Sequence, residues 1–178
     1  MGHRVITLSA GQLIARRKLS GLFEPLHGDA DITCCDGIDL DALLLQQIDA
    51  WYARVLLTAP LEMLPLTDIA PLVSMSLTAD GAGMVVLPEG TLRVASVTME
   101  GWQRPAAVIT DASSAEALAQ ANPFARGTAA APVAVIHPDG RLMLYTPPRG
   151  VARLSSLMAV VQPPEGTYLL TEAMFSIQ

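Results

Sequence analysis

Aromatic and charged residues are scarce in this sequence, at 4% and 16% of its 178 residues, whereas 51% of the residues are hydrophobic. This composition is far from the polar, charge-rich one that keeps a chain disordered, so we expect a folded protein. Because there are few aromatic rings, the core must be built from Leu, Val, Ala, Met and Ile, which pack by shape. The length favours one compact unit with a sizeable core.

Long hydrophobic runs are also missing, and none reaches the roughly 18 apolar residues that a membrane-spanning helix needs. The uncharged stretches 69–79 and 154–164 are short and contain prolines. The N-terminal apolar run is too short for the core of a signal peptide, so we expect cytoplasmic synthesis and no membrane partner. The mean hydropathy of +0.40 therefore indicates apolar surface that is buried in a core or a subunit interface.

Positive charge is in deficit, since the formal net charge is -6. Tight binding to a duplex depends on basic groups that release phosphate counterions, so sequence-specific nucleic-acid binding is not expected. The two cysteines, Cys34 and Cys35, are adjacent and can close only a strained ring, which excludes an ordinary structural disulfide between them.

Helical signals concentrate in the N-terminal third of the chain. A capping box at Ser9 and Gln12 predicts a short helix over residues 10–19. Apolar residues at helical spacing predict a longer helix over residues 38–58, capped by Asp39. The apolar stripe of this helix contains Leu40, Leu44, Ile48, Trp51 and Val55, widened by Leu43, Gln47 and Tyr52.

After Pro60 the pattern changes to strands. We predict strands over residues 72–77, 84–87, 91–99, 106–110, 133–137, 141–145 and 157–162, and one short helix over about 113–121 that opens with a second capping box. Residues 167–177 suit either a strand or a helix. The predicted fold class is α+β, with a helical region of two helices (residues 1–60) followed by a mainly antiparallel β domain (61–178), together one compact unit.

Candidate reactive groups are few, and each has a structural alternative that we favour. His137 and Asp139 could form a base and its partner, but they flank a Pro-Asp-Gly turn. The Gly81-Ala82-Gly83 segment lacks the third glycine and the following helix of a dinucleotide-binding loop. The carboxylates within residues 29–49 suit solvated helix caps better than a catalytic pair.

Metal-ligand atoms occur at His27, Cys34, Cys35 and Asp36, but adjacent cysteines do not reproduce the paired spacing of zinc sites. The basic cluster Arg16-Arg17-Lys18 suits the end of a helix or a solvated face, with contact to a nucleic acid or an acidic partner as the alternative. We therefore assign no catalytic, cofactor-binding or metal-binding residue and expect no cofactor.

Several short sequence motifs follow one another along the chain in a characteristic order. They are residues 85–94 (VVLPEGTLRV), 101–105 (GWQRP), 120–123 (QANP), 126–127 (RG) and 132–134 (PVA). Together with the preceding long helix, this order resembles the head-to-tail connector or adaptor proteins of tailed bacteriophages and related prophages. The resemblance covers about half of the chain, and the sequence departs from that family by lacking a longer helical tail.

The resemblance implies a non-enzymatic subunit that forms a homo-oligomeric ring and contacts other virion proteins such as a portal. Such a protein would be found in the bacterial cytoplasm during assembly and then in the virion. Trp102 and Arg104 are residue types that are enriched at interface anchors, although a single Trp is as often a core residue. The candidate interface residues are Trp102, Arg104, Trp51, Arg16 and Arg17.

Two other classes of function stay open at this point. A ligand-binding module, for example for carbohydrate, could use Trp51, Trp102 or Tyr145 as a stacking platform. An enzyme with an unrecognised site would need a concave pocket with convergent polar groups.

Overall fold

The computed structural model describes residues 4–19, 39–151 and 153–176. The chain divides into two compact units. Unit 1 consists of Met1–Pro65 and Pro163–Gln178, and unit 2 consists of Leu66–Gln162. This division differs from the predicted boundary between residues 60 and 61, because the C-terminal segment belongs to the same unit as the N-terminal helices.

The elements confirm the predicted α+β class, with helices near the N-terminus, mainly antiparallel strands and a short inserted helix. The α-helices of the described ranges are α1 (Ala10–Leu19), α2 (Leu40–Thr58) and α3 (Ala115–Ala119). The strands are β1 (Val5–Ser9), β2 (Thr67–Asp68), β3 (Met75–Leu77), β4 (Gly83–Val86), β5 (Thr91–Met99), β6 (Ala107–Ile109), β7 (Val133–Ile136), β8 (Arg141–Leu144), β9 (Leu154–Val161) and β10 (Thr167–Thr171). Short 3-10 turns occur at Leu61–Met63, Ala70–Leu72 and Glu172–Ser176.

Each helix of unit 1 begins at a side chain that accepts hydrogen bonds from its first turn. At α1 the predicted capping box forms, since Ser9 N donates to Gln12 Oε1 at 2.9 Å and Gln12 N donates to Ser9 Oγ at 3.4 Å. At α2 the predicted cap Asp39 accepts from the amides of Asp41 and Ala42. The starts of both predicted helices are confirmed.

The buried face of α2 is displaced from the predicted stripe toward Leu56, which is buried although it was not predicted to be. Ile48, Tyr52 and Val55 are buried at helical spacing. Leu43, in contrast, is 44% exposed, and Gln47 is exposed as well. The spacing of apolar residues therefore predicted three buried residues correctly, missed one edge of the buried face and extended the other edge too far.

Unit 1 also contains an antiparallel strand pair that joins distant parts of the chain. β1 pairs with β10 from Val5 opposite Thr171 to Ser9 opposite Thr167. No strand is predicted at β1, and the segment that forms β10 is predicted as either a strand or a helix. Both segments are rich in Val, Ile, Thr and Tyr, which favour strands, but neither shows its partner locally.

Unit 2 is built from two sheets. One has five strands in the order β3-β4-β8-β7-β6, and the other has three in the order β2-β9-β5. All neighbouring strands are antiparallel except β6 and β7, which are parallel. A parallel pair needs a crossover connection, and α3 lies within it. The predicted hairpin of β7 and β8 is confirmed.

The core of unit 2 is formed by apolar side chains from both sheets. Leu142 and Leu144 of β8 and Leu157 of β9 are completely buried in it. The buried residues of this core cluster are Ile69, Val85, Val94, Val97, Met99, Ala106, Ala134, Leu142, Leu144, Leu157 and Ala159. Every member is an aliphatic residue or Met, as the composition predicts.

The short helix α3 begins one residue later than the capping box predicts. Its cap is Ser114, whose Oγ accepts from Ala117 N at 3.2 Å. The preceding Ser113 instead donates to Asp111, through both its amide and its hydroxyl. The Asp111 carboxylate therefore competes with the helix for Ser113, which explains the shift.

Candidate functional site

A groove lies at one end of the five-stranded sheet, where β4 and β7 end and β8 begins. Its volume is about 290 Å³. It is lined by Leu87, Pro88, Glu89, Gly90, Thr91, Leu92, Arg93, Val94, Ile136, His137, Pro138 and Gly140, and we call this set the groove. All of its residues belong to unit 2.

Two turns form the groove, and hydrogen bonds hold them together. In the first turn, Thr91 donates from its amide and from Oγ1 to Pro88 O. In the second turn, Gly140 N donates to His137 O, and Gly140 has a φ of 76°, a conformation that side-chain-bearing residues rarely adopt. The amide of Leu87 then donates to Gly140 O at 3.0 Å, which fixes one turn against the other.

Polar groups and apolar side chains share the walls of the groove. Glu89, Arg93 and His137 contribute an acidic, a basic and an imidazole side chain. Among the described residues, no hydrogen-bond partner is found for His137 Nε2, although this atom is buried. An unpaired buried polar atom destabilises the folded chain.

His137 and Asp139 do not pair as a base and its partner in this turn. The Asp139 carboxylate accepts from Arg141 N and lies 3.2 Å from Arg141 Nε. The backbone of His137 pairs with Arg141 as part of the hairpin. These contacts agree with the structural role that the sequence favoured for this turn.

A second feature of unit 2 is a loop that presents an exposed aromatic ring. The loop consists of residues 120–127 and follows α3, and we call it the Phe124 loop. Phe124 is 99% exposed, the highest value among the exposed large hydrophobic side chains of the described residues. Sequence reasoning did not single out this residue, although Asn122 and Pro123 directly before it are typical of a surface turn.

Of the predicted interface residues, two lie in unit 2. Trp102 is half-buried, packs against the core of the unit and donates from Nε1 to Thr146 O at 2.9 Å. Arg104 is exposed, two residues further along. Contacts within unit 2 therefore hold most of the indole. This result agrees with the alternative that a single Trp is a core residue.

The other three predicted interface residues lie in unit 1. Trp51 is half-buried, and its ring lies 6.5 Å from that of Tyr52. The Arg16 guanidinium lies 4.2 Å from the centre of the Phe175 ring, a cation–π contact. The side chain of Arg17 lies outside the described part of the structure. The five predicted residues are thus divided between the two units.

Unit 1 contains a group of buried hydroxyls that the sequence analysis did not identify. The Tyr168 hydroxyl donates to Asp49, and the Tyr52 hydroxyl donates to Leu169 O and accepts from Leu169 N, both at 3.0 Å. The two rings meet edge to face at 5.1 Å. Burial, together with the neighbouring Asp49 carboxylate, raises the pKa of Tyr168 to about 12. Burial raises the pKa of Tyr52 as well.

The remaining sequence candidates give no site within the described ranges. His27, Cys34, Cys35 and Asp36 lie outside these residues, as do the other carboxylates of residues 29–38. In residues 4–19, 39–151 and 153–176, no group of three or more His, Cys, Asp or Glu side chains is placed to hold a metal ion. None of the helices in those residues has both the length and the apolar character needed to cross a membrane.

No protein family, curated protein or solved structure that we compared with this chain matches it. The resemblance to phage connector proteins therefore rests on the sequence blocks alone.

Proposed function

We propose that this protein is a non-enzymatic assembly subunit of a phage or prophage particle, which associates with its own copies in a ring of the head-to-tail connector type. A portal is the expected neighbour in the virion. The protein would be made in the bacterial cytoplasm and incorporated into particles there. The proposal combines the sequence resemblance with the surface of unit 2.

The observation that carries the proposal is the number of large apolar side chains that stand in solvent on hydrogen-bonded elements of unit 2. Five of them are more than 60% exposed: Leu72, Leu77, Val86, Leu118 and Phe124. Single exposed apolar residues are common, but a fully exposed phenylalanine loses the burial that normally stabilises its ring by about 1.5–3 kcal/mol. A subunit that is covered by its neighbours recovers this free energy on assembly.

The resembling blocks belong to unit 2 as well. Residues 85–94 contain the end of β4, the turn at Pro88 and the start of β5. Residues 120–123 and 126–127 lie within the Phe124 loop. Three of the five blocks thus lie at the groove or in the Phe124 loop, and this placement supports the proposal.

The test is the mass of the purified chain as a function of concentration. We expect light scattering to show a growing assembly, and electron microscopy of the most concentrated sample to show rings. A candidate portal encoded beside the gene is then added at fixed ratios. A chain that stays monomeric at every concentration and also ignores that portal would contradict the proposal.

The ligand-binding alternative is testable separately. Trp51, Trp102 and Tyr145 are each half-buried, and none of them lines the groove. Stacking on a sugar needs an open aromatic face, so the structure gives this alternative less support than assembly. Binding on a glycan array that is lost in Trp102→Ala, with the fold retained, would replace our proposal by a carbohydrate-binding function.

A further inference from the structure

Two turns of unit 2 share an Asp-Gly pair and the same backbone hydrogen bonds. The Asp80 turn (residues 78–82) joins β3 to β4, and the Asp139 turn (residues 137–141) joins β7 to β8. In both turns the glycine amide donates to the carbonyl three residues earlier, at 3.0 Å from Gly81 and 3.1 Å from Gly140. The amide of the first residue donates to the carbonyl of the fifth at 2.8 Å in both. The φ angles of the glycines, 74° and 76°, also agree, so the turns form a matched pair.

The turns differ in what holds the aspartate carboxylate. Asp139 Oδ1 accepts from Arg141 N at 3.2 Å, and Asp139 Oδ2 lies 3.2 Å from Arg141 Nε. In the Asp80 turn the amide at the equivalent position belongs to Ala82, and it donates to Thr78 Oγ1 at 3.1 Å instead. The described part of the chain supplies no donor to the carboxylate of Asp80, which is exposed. One carboxylate is thus restrained by its own turn, and the other is not.

An aspartate that precedes glycine can isomerise without an enzyme. The glycine amide nitrogen attacks Cγ of the protonated side chain, a bond forms between these atoms, and the carboxyl hydroxyl leaves as water with the amide proton. Water then adds to the resulting five-membered imide. Cleavage of the bond to Cγ restores aspartate, whereas cleavage of the original peptide bond leaves isoaspartate, whose main chain runs through Cβ and Cγ. Glycine permits the attack because it has no side chain to obstruct the nitrogen.

The carboxyl group must turn toward the following amide before the imide can form. Asp139 can turn only by giving up its contacts with Arg141, whereas no described residue holds Asp80 in this way. A hydrogen bond of ordinary net strength slows a step that must break it by about two- to tenfold. The hydrogen bonds made by the two glycine amides are alike, so their effect cancels when the turns are compared.

We infer that Asp80 is a site of spontaneous isomerisation to isoaspartate and that Arg141 protects Asp139 from the same reaction. The reaction adds a carbon atom to the main chain between β3 and β4. Its product carries a free main-chain carboxylate, which is the group that isoaspartate methyltransferases methylate with S-adenosylmethionine. An enzyme of that class would therefore recognise the Asp80 turn of an aged chain. The inference goes beyond the proposed function and does not depend on it.

Ageing of the full chain tests the inference at each site. The protein is incubated at neutral pH and digested, and isoaspartate is quantified by electron-transfer fragmentation, which distinguishes it from aspartate. We expect isoaspartate to accumulate about two to ten times faster at Asp80 than at Asp139. An isoaspartate methyltransferase added to the aged chain should methylate the peptide that contains Asp80. The pair Asp36-Gly37 lies outside the described residues and is quantified separately.

Two variants and an unfolded control identify the groups responsible. Asp80→Glu keeps the charge but cannot close the five-membered imide, so isoaspartate at position 80 should disappear while the rate at Asp139 stays the same. Arg141→Ala removes a guanidinium whose side chain is 55% exposed, and it should raise the rate at Asp139 by about two- to fivefold. In urea both turns are lost, and the rates at the two sites should agree within about twofold.

Three outcomes would contradict the inference. Equal rates at Asp80 and Asp139 in the folded chain would overturn it. An excess at Asp80 that persists in urea would also overturn it, because the neighbouring residues in the sequence would then be the cause. An unchanged rate at Asp139 in Arg141→Ala would refute protection by that side chain. None of these rates measures association, so the mass of the chain as a function of concentration still decides the proposed function separately.

Discussion

Units 1 and 2 both bury aliphatic residues and Met, and they differ in the hydroxyl groups that unit 1 buries as well. Unit 1 buries Tyr52, Tyr168 and Thr171, and each of their hydroxyls makes a hydrogen bond within the unit. The core of unit 2 consists of aliphatic residues and Met. Hydrogen bonds are directional, whereas apolar packing depends on shape and volume, so the buried hydroxyls add directional contacts to the apolar packing of unit 1.

The two tryptophans allow each unit to be followed separately. Trp51 belongs to unit 1 and Trp102 to unit 2, and the chain has no others. A Trp102→Phe background therefore reports unfolding of unit 1 by fluorescence, and a Trp51→Phe background reports unit 2. Each substitution below is compared with its own single-tryptophan background.

The largest effect is expected from Leu142→Ala in unit 2. Leu142 is completely buried between the two sheets, so truncation leaves a cavity and should lower the free energy of unfolding by about 2–5 kcal/mol. Urea unfolding followed at Trp102 measures this loss. Leu77→Ala is the control, because Leu77 of the same sheet is 61% exposed and should change stability by no more than about 0.5 kcal/mol. Equal losses in both variants would show that packing does not dominate unit 2.

A smaller effect is expected from Tyr52→Phe in unit 1. The substitution leaves the ring in place and removes the hydroxyl that bonds both the amide and the carbonyl of Leu169. The expected loss is about 1–3 kcal/mol, measured by urea unfolding at Trp51. Leu57→Ala on the same helix is the control, since Leu57 is 56% exposed. A Tyr52→Phe variant as stable as its background would remove the proposed contrast between the units.

The pH dependence of unit 1 should expose its buried phenols. The ordinary pKa of tyrosine is 10.0, and burial with the Asp49 contact raises that of folded Tyr168 to about 12. The unfolded chain therefore loses this proton first, so the stability of unit 1 should fall as the pH rises from about 10 to about 12. Tyr168→Phe should flatten this fall in urea midpoints measured across the interval. An unchanged slope would assign the alkaline loss to other groups.

The smallest effect is expected from Asp68 in unit 2, at the opposite end of the pH scale. Hydrogen bonds from Leu157 N and Ala70 N hold its pKa below the ordinary 3.8. The folded chain keeps the carboxylate ionised longer, so this contribution is present above about pH 4 and is lost as the pH falls further.

The Asp68 prediction is tested with two variants. Asp68→Ala should cost about 0.5–1.5 kcal/mol at neutral pH, because two amides lose their acceptor. Asp68→Asn retains an acceptor oxygen but cannot titrate, so it should keep most of the stability and lose the acid dependence. An acid dependence that persists in Asp68→Asn would mean that Asp68 is not its source.

Local signals predicted the elements whose determinants lie within a few residues of one another. The apolar spacing and the Asp39 cap predicted α2, and the Pro-Asp-Gly turn predicted the hairpin of β7 and β8. The capping box at Ser9 also formed as predicted. In each case the hydrogen bonds join neighbouring residues, so the sequence carries both partners side by side.

Pairings between distant segments could not be predicted in the same way. The partner of β1 is β10, at the other end of the described chain, and no local pattern names it. The parallel pairing of β6 and β7 depends on the crossover through α3. The exposure of Phe124 was missed because an apolar residue is expected to be buried, and only the position of its loop shows otherwise. The connector resemblance, the ring and the portal partner stay predictions.

The pairing of β1 with β10 has a consequence for the order in which the strands can pair during synthesis on the ribosome. The ribosome adds residues from the N-terminus onward, so Thr167–Thr171 follow the whole of Leu66–Gln162. Within the described residues, β10 is the only strand that pairs with β1, so β1 lacks this partner while the strands of unit 2 are being synthesised. Of the described strands, β1 is therefore the first to be synthesised and the last to gain its hydrogen-bonding partner.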